Sequence, residues 1–295
     1  ATEIVHGLGA GAAQVGRSHE CDWPPSVLSL PALTRARFKV DGSSRDIDER
    51  VKTLVQDGLA VYEVDAEALK NLAPDVIVTQ DQCEVCAVSL ADVERAVCTW
   101  TDTAAQVVAL RPLSMAVVMA DILKVAVAIG RPDDGARLIG EMQSRLAEIQ
   151  ALTAGRVKPR LAFIEWIEPA MSGGHWMPEL TDIAGGINLF GDTGANSPWI
   201  DWRDVAAADP DVLLVAPCGF DLDVTTREMQ ARAGNSIWQD LRAVRTGEVY
   251  VADGNAYFNR PGPRLVESAE IMAEILHPEI ARFGHRDVAF RRIAV

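Results

Sequence analysis

The sequence predicts an α/β protein of two Rossmann-like lobes joined by a single long helix, and three observations carry that reading. First, an alternation of short apolar runs and helical periodicity extends to about residue 131, and a similar alternation restarts near residue 160. Second, residues 132–154, PDDGARLIGEMQSRLAEIQALTA, read as one unbroken helix of about 33 Å. Pro132 suits the first helical turn, where a missing N–H costs nothing, and Asp133 and Asp134 suit the positive end of the dipole. Leu138, Ile139, Met142, Leu146, Ile149 and Leu152 recur at helical spacing, and Gly155 is a stop signal. Third, LAPDVIV at 72–78 is echoed by ADPDVLLV at 208–215: a helix ends at Pro-Asp, and a buried strand follows. The expected division is a first lobe over 1–131, a linking helix over 132–154 and a second lobe over 155–295. A long core helix inside one α/β domain is the competing arrangement.

Taken in order, residues 2–8 read as a short helix and 13–17 as a strand candidate. The loop SHECDWPP, 18–25, closes on two prolines, and 30–40 is irregular and basic. Residues 44–58 form a helix with Ser44 as N-cap and Ile47, Val51, Leu54 and Val55 on one face. A strand at 61–64, a helix at 66–72 and a buried strand at 75–79 follow, then the loop 80–86, QDQCEVC. A helix at 89–96, a strand at 107–109 and a helix at 113–129 complete the first lobe. After the linking helix come a strand at 160–164, a long loop at 165–177, a short helix at 180–184 and an aromatic loop, SPWIDW, at 197–202. A buried strand at 211–216, a helix at 226–233, a strand at 248–252, the loop 253–264 and a closing helix at 265–276 follow. The basic tail beyond Pro278 is expected to pack on the surface.

The totals exclude several classes. A length of 295 residues fits two domains and a core needing no staples. The formal charge of −14 argues against nucleic acid or an anionic membrane as partner. The most apolar stretch, 113–130, carries Asp121 and Lys124 and is too polar to span a bilayer. No basic n-region with an apolar h-region opens the sequence, so a signal peptide was either removed or never present. There is no G-x-S-x-G, H-E-x-x-H or Walker A sequence, and Glu165 and Glu168 lack an evident acid/base partner.

Ligand crevices in open α/β sheets lie beyond the carboxyl ends of the strands. The loops 18–25, 80–86, 165–177 and 253–264 leave such ends, with 197–202 nearby in sequence. They hold Trp23, Trp166, Trp176, Trp199 and Trp202, five of the chain's seven tryptophans, with Tyr257 and Phe258. These rings either plug the sheet edges or wall a large planar, apolar ligand; the clustering favours the wall.

SHECDWPP, LAPDVIVTQ, TQDQCEVCAVS and DPDVLLVAPCGF resemble the vitamin B12-binding proteins of ABC importers. More broadly, they resemble the helical-backbone (class III) substrate-binding proteins for cobalamin, haem and ferric siderophores. The opening 24 residues and the closing GPRLVESA helix extend the likeness over nearly the whole chain. The family usually has a strand and a Pro-Ser turn immediately before the equivalent of Ala1; the given sequence lacks both, so the first lobe's central sheet is expected to be a strand short. The resemblance implies a rigid, extracytoplasmic receptor that takes a corrinoid in a shallow cleft between its lobes and delivers it to an ABC permease. It implies no catalysis and a monomer. Carried over by position, the cleft would take Trp23, Gln80, Asp81, Gln82 and Cys83 from the first lobe. From the second it would take Trp166, Glu168, Pro169, His175, Trp176, Trp199, Tyr257, Phe258, Asn259 and Arg260. Aromatic walls would serve the ring faces; Gln80, Gln82, Asn259 and Arg260 would serve the amide or carboxylate rim. Permease docking would use Asp92 or Glu94 and Asp201 or Asp204, each of which is equally an ordinary solvated acid.

Three readings stand for His19, Cys21, Cys83 and Cys86. They are a zinc site, a disulfide (Cys83–Cys86 or Cys21–Cys83), or a donor to the metal of the incoming ligand. His175 is the other candidate axial ligand, against an ordinary surface histidine. The alternatives to corrinoid capture are haem or ferric-siderophore binding on the same fold, and a cytosolic metal- or thiol-site protein, including a thiol enzyme built on Cys83, His19 and Glu20.

Overall fold

The computed structural model of the chain describes residues 1–56, 61–80, 105–232, 238–239 and 241–294. The chain divides into two compact units. The first comprises Ala1–Gly42, Asp46–Pro112 and Ala116–Glu141; the second comprises Ser43–Arg45, Leu113–Met115 and Met142–Val295.

The first unit opens on helix α1 (Thr2–Gly7), as the sequence predicts. The expected strand at 13–17 is absent. A 3-10 turn occupies Gly11–Ala13, and Arg17 makes only an isolated bridge to Ala32. Gly16 explains this: a Cβ there would lie 2.5 Å from Leu33, so the segment packs through its backbone rather than extending as a ladder. The basic stretch expected to be irregular contributes strand β1 (Thr34–Ala36), antiparallel to β2 (Tyr62–Val64) with Arg35 opposite Glu63. Their ion pair spans 2.8 Å, a favourable cross-strand partner for an exposed edge.

Helix α2 runs Ser44–Gln56 and α3 runs Ala66–Leu72. Asp65 caps α3 by accepting from the Ala68 N–H at 2.9 Å, worth about 1 kcal/mol. Ser44 is the first helical residue of α2, not its cap, and its hydroxyl donates to Glu228 at 2.8 Å. Strand β3 (Val76–Gln80) pairs in parallel with β4 (Gln106–Leu110) in unbroken register from Val76↔Gln106 to Gln80↔Leu110. Val76, Ile77 and Val78 are only half-buried, so this apolar run is less enclosed than its composition predicts. The expected helix at 89–96 lies outside the described residues.

Helix α4 (Met115–Ala128) leads to α5 (Pro132–Thr153), the long helix the sequence predicts. Leu138, Met142, Leu146 and Ile149 form its buried stripe, and the division between units falls after Glu141. Gly135 lets α4 and α5 touch: a Cβ there would sit 2.6 Å from that of Ala126.

In the second unit, β5 (Arg160–Trp166), β7 (Ile187–Asn188), β8 (Val212–Val215) and β9 (Val249–Ala252) run parallel. Strands β6 (Met171–Ser172) and β10 (Phe290–Arg292) are antiparallel additions. The order is β10-β9-β8-β5-β6, with β7 also on β5. Two expectations change here. Residues 165–177 are not one loop: β5 extends to Trp166 and the chain turns back as β6. The tail beyond Pro278 is not surface packing alone, because β10 joins the sheet with Phe290 buried.

Helices α6 (Met177–Ile183), α7 (Trp202–Ala208), α8 (Leu222–Gln230), α9 (Arg242–Thr246) and α10 (Leu265–Leu276) complete this unit. Strands β8 and β9 are buried throughout, as parallel strands covered on both faces require. Ala162, Ile164, Leu213, Val215, Val249 and Val251 pack with Val205, Met229 and Trp238 in one core cluster. Every residue of α10 except Glu267 is buried, including Glu270 and Glu274. Glu270 accepts from Arg145 at 2.6 Å and from His285 Nε2 at 2.8 Å. Glu274 accepts the backbone N–H groups of Phe283, Gly284 and His285, fastening the tail to α10. Among the described residues, no helix is long and apolar enough to cross a membrane.

Candidate functional site

Strands β5, β8 and β9 end side by side in the second unit, so the segments leaving Trp166, Val215 and Ala252 share one edge of the sheet. The exits of β5 and β8 are tied by Ala216 N–H to Ile164 O at 2.9 Å and Cys218 N–H to Glu165 O at 3.1 Å. The Trp166 ring packs on Phe220, centroids 5.4 Å apart. The exits of β8 and β9 are tied by Asn255 N–H to Phe220 O at 3.1 Å and by Asn259 Nδ2 to Ala216 O at 3.2 Å. Gly254 permits this approach, since a Cβ there would lie 2.2 Å from the Pro217 carbonyl oxygen.

The β9 exit is a single π-helical turn, Gly254–Phe258, capped by Asp253 through the Ala256 N–H at 2.7 Å. It presents Tyr257, Asn259 and Arg260 in sequence. Arg260 donates to Asn255 Oδ1 at 2.8 Å, and the Arg264 guanidinium lies 4.4 Å from the Tyr257 ring centroid. Burial pushes the Tyr257 phenol pKa up, so the hydroxyl keeps its proton and remains a donor at neutral pH.

The second part of this edge is built from 165–176 and 190–200. Backbone bonds Ser172 N–H to Pro198 O at 3.0 Å and Ile200 N–H to Ala170 O at 2.9 Å hold the two segments together. Trp199 is 59% exposed and Trp166 half-buried, so both offer ring surface. Trp176 and Phe258, expected as ligand surface, are framework instead. Trp176 is 5% exposed and donates its indole N–H to Phe258 O at 3.2 Å, and Phe258 is fully buried against Phe163. Trp202 is likewise half-buried on Trp238, centroids 4.5 Å apart, and donates to Ile167 O at 3.2 Å.

His175 is half-buried with φ +53°, a left-handed backbone unusual outside glycine. Its Nδ1 lies 3.5 Å from Ser197 Oγ, and Ser197 in turn donates to Glu165 Oε2 at 2.8 Å. Burial lowers the His175 pKa and so favours the neutral ring, against a hydrogen bond to Asn196 that works the other way. Glu168 is engaged as an ion-pair acceptor. Arg45 lies 2.8 Å away and Arg232 2.6 Å, and these hydrogen bonds hold its carboxyl below the usual range against the opposing effect of burial. Pro169 follows Glu168 through a cis peptide bond.

In the first unit, Gln80 ends β3 and Trp23 is 44% exposed. His19 Nδ1 lies 2.7 Å from Thr34 Oγ1, its Nε2 lies 3.2 Å from Glu20, and its ring packs on Tyr62 at 5.2 Å. Cys21 is a free thiol that accepts from Thr2 Oγ1 at 3.0 Å. Among the described residues no group of three His, Cys, Asp or Glu side chains is placed to hold a metal ion. Asp81, Gln82, Cys83, Cys86, Asp92 and Glu94 lie outside the described residues. Asp201 and Asp204 form a capping box at the start of α7, with Asp201 accepting from Arg203 N–H at 2.8 Å.

The sequence reading left out the exit of β8. Phe220 and Ser197 are the contributors it missed; the strand-end rule applied to DVLLVAPCGF would have found the first, whereas Ser197 matters only through a fold that sets it beside Glu165.

A model of the periplasmic binding protein family matches residues 1–256. The vitamin B12-binding protein of Vibrio cholerae is 20% identical over 279 residues, spanning 92% of this chain and 83% of that protein. Among solved structures, an ABC transporter substrate-binding protein from Listeria monocytogenes superposes with a TM-score of 0.70 at 19% identity, covering 94% of this chain and 95% of that one. A periplasmic heme-binding protein from Pseudomonas aeruginosa gives a TM-score of 0.69 at 18% identity, covering 94% and 90%. These likenesses cover both units and share the α/β fold.

Proposed function

The chain belongs to the periplasmic binding protein family, and on that premise we propose that it captures a corrinoid, cobalamin or a close relative, and delivers it to the permease of an ABC importer. Membership carries an extracytoplasmic location and a transport role rather than a catalytic one. The observation that carries the corrinoid reading is the edge of the second sheet, where Trp166, Trp199 and Tyr257 offer ring faces beside Asn259 and Arg260. A corrin has two broad apolar faces and a fringe of amides. Aromatic surface takes the faces, while an amide and a guanidinium take the fringe. The vitamin B12-binding relative, aligned over 92% of the chain, supports the same ligand. Haem is the second reading, favoured by the likeness to the heme-binding structure at a TM-score of 0.69.

Titration of the purified chain with cyanocobalamin, haemin and a ferric hydroxamate siderophore, followed by tryptophan fluorescence, tests this. Saturable quenching by cyanocobalamin with the other two inert is the expected result. Saturation by haemin alone replaces the corrinoid with haem, and binding of none of the three removes the proposal.

A further inference from the structure

We propose that His285 is a positioning residue of the ligand edge: braced from behind by Glu270, it holds the Tyr257 ring in the attitude that meets the ligand, without touching the ligand itself. This rests on the capture reading above, in which Tyr257 offers a ring face.

The brace begins at its buried end. Glu270 is 7% exposed, and both of its carboxylate oxygens are engaged. Oε1 accepts from Arg145 Nε at 3.2 Å and Nη2 at 2.6 Å, and Oε2 accepts from His285 Nε2 at 2.8 Å. Burial works against ionisation of Glu270, but the bonds from His285 and Arg145 outweigh it, so the group stays a carboxylate. A carboxylate can only accept, so His285 Nε2 carries the hydrogen. Hydrogen bonds to an ionised acceptor are the strong kind. With Arg145 gripping one oxygen through two N–H groups, the direction of the other oxygen fixes the imidazole.

The backbone of His285 is held as well. Its N–H donates to Glu274 Oε2 at 3.2 Å, and its carbonyl accepts the Ala289 N–H at 2.8 Å and the Val288 N–H at 3.1 Å. Ala289 O in turn accepts the Asp253 N–H at 2.9 Å, and Asp253 caps the π-turn that carries Tyr257. Tail and turn therefore share one hydrogen-bonded frame.

On that frame His285 meets Tyr257 edge-on, with ring centroids 6.2 Å apart and planes at 66°. The Arg264 guanidinium lies over a face of the same phenol ring, and the Ser268 hydroxyl donates to Tyr257 O at 2.5 Å. With a guanidinium on one face, a planar ligand can stack only on the other, and the imidazole at the edge limits the tilt at which that face is presented. A ring held in place before the ligand arrives spares the cost of ordering it on binding. The contact that serves capture, imidazole to phenol, and the contact that serves stability, imidazole to carboxylate, use different parts of His285.

The test uses the whole chain with cyanocobalamin and with haemin, read by tryptophan quenching, and records the melting temperature of each variant. His285→Gln is the informative substitution: its amide can still donate to Glu270 but offers no ring to Tyr257. Its melting temperature should stay close to that of the parent, while affinity for the probe that the parent binds should fall about fivefold, the cost of ordering one further side chain. In a Tyr257→Ala background the same substitution should change affinity by less than about twofold, since the ring it positions is gone. His285→Phe keeps a ring edge but leaves Glu270 Oε2 without its donor; it should melt lower than His285→Gln yet bind more tightly, and the reverse order overturns the role. An affinity unchanged by His285→Gln, or an equal loss in both backgrounds, overturns the positioning role and leaves capture intact. So does parental affinity in Tyr257→Ala alone, which removes that ring from the site. If the parent binds neither probe, capture of a ring ligand fails and the positioning role fails with it.

Discussion

Replacing Gly254 by alanine tests whether the exits of β8 and β9 are locked together. Its φ lies outside the left-handed region, so alanine meets no backbone strain and the whole effect is steric. The new Cβ would fall 2.2 Å from Pro217 O, 2.6 Å from Ala216 O and 2.7 Å from Ala216 C, whereas ordinary contact begins at 3.4 Å. All three atoms are backbone, so no side chain can swing away; the two segments must part by more than an ångström. The hydrogen bond from Asn255 to Phe220 at 3.1 Å and that from Asn259 to Ala216 at 3.2 Å then fail. Overpacking of about 1–3 kcal/mol and about 1 kcal/mol for each lost bond give a destabilisation of roughly 3–5 kcal/mol before relaxation. At about 2–4 °C per kcal/mol for a unit of this size, the melting temperature should fall by roughly 6–20 °C. Thermal denaturation followed by circular dichroism reads the fall, and fluorescence titration should show weaker ligand capture, because Tyr257, Asn259 and Arg260 move with the loop. A melting temperature within a degree of the parent would refute the close approach and the preset edge built on it.

Alanine at Trp166 or Trp199 should weaken ligand binding by about 1–3 kcal/mol, roughly 5- to 150-fold, through lost stacking and burial; unchanged affinity in both would remove them from the site. Trp176→Phe should lower stability by about 1–2 kcal/mol, because the Phe258 carbonyl loses its indole partner, and should leave affinity nearly unchanged. Burial works against ionisation of Glu270, but the hydrogen bonds and charges of His285 and Arg145 outweigh it and hold its carboxyl below the ordinary value of 4.5. A depressed folded-state pKa contributes stability above the unfolded value and loses it as pH falls through the folded one. Melting curves should therefore show the advantage of the parent over Glu270→Gln shrinking from about pH 5 downward; a constant difference would contradict the pairing. Asp201→Ala should cost about 1 kcal/mol by uncapping α7, and a transport assay in membranes carrying the permease separates that from docking, since uncapping alone leaves ligand affinity and uptake in proportion.

How much was legible in the sequence depended on how local the cause was. The closing helix, Leu265–Leu276, and α3, Ala66–Leu72, coincide with their predicted bounds because periodicity and flanking caps lie within the segment itself. The long helix did too, to within a residue at Thr153. Strands supported by distant partners were missed. Phe290-Arg291-Arg292 looks like a basic tail and becomes β10 only because the edge of β9 receives it. Met171-Ser172 is too short to signal a strand and exists as the return of β5. The opposite error was made at 13–17, where the close approach of Gly16 to Leu33 is invisible in the local sequence. At the site, the rings expected in loops proved to be spread over a strand end, a helix start and loops, since Trp166 ends β5 and Trp202 opens α7, and sequence alone could not separate the exposed Trp199 from the buried Trp176. Trp176 is fixed in the interior by its indole N–H on the Phe258 carbonyl, a partner 82 positions away. The relation of Ser197 to Glu165, 32 positions away, was likewise beyond any local pattern.

The edge strand β10 has a consequence for how this protein tolerates trimming. Strand β9 is wholly buried, apolar and aromatic in part, with its outer row of hydrogen-bonding groups satisfied only by the last dozen residues. A chain cut after Leu276 would lose β10 and offer that row to whatever strand came next, including the same row on a second molecule. Glu274, which grips the segment leading to β10, is therefore a guard against self-association as much as a brace for the tail. Damage to this corner should first be seen as clumping in solution, with the secondary structure of each molecule still largely in place.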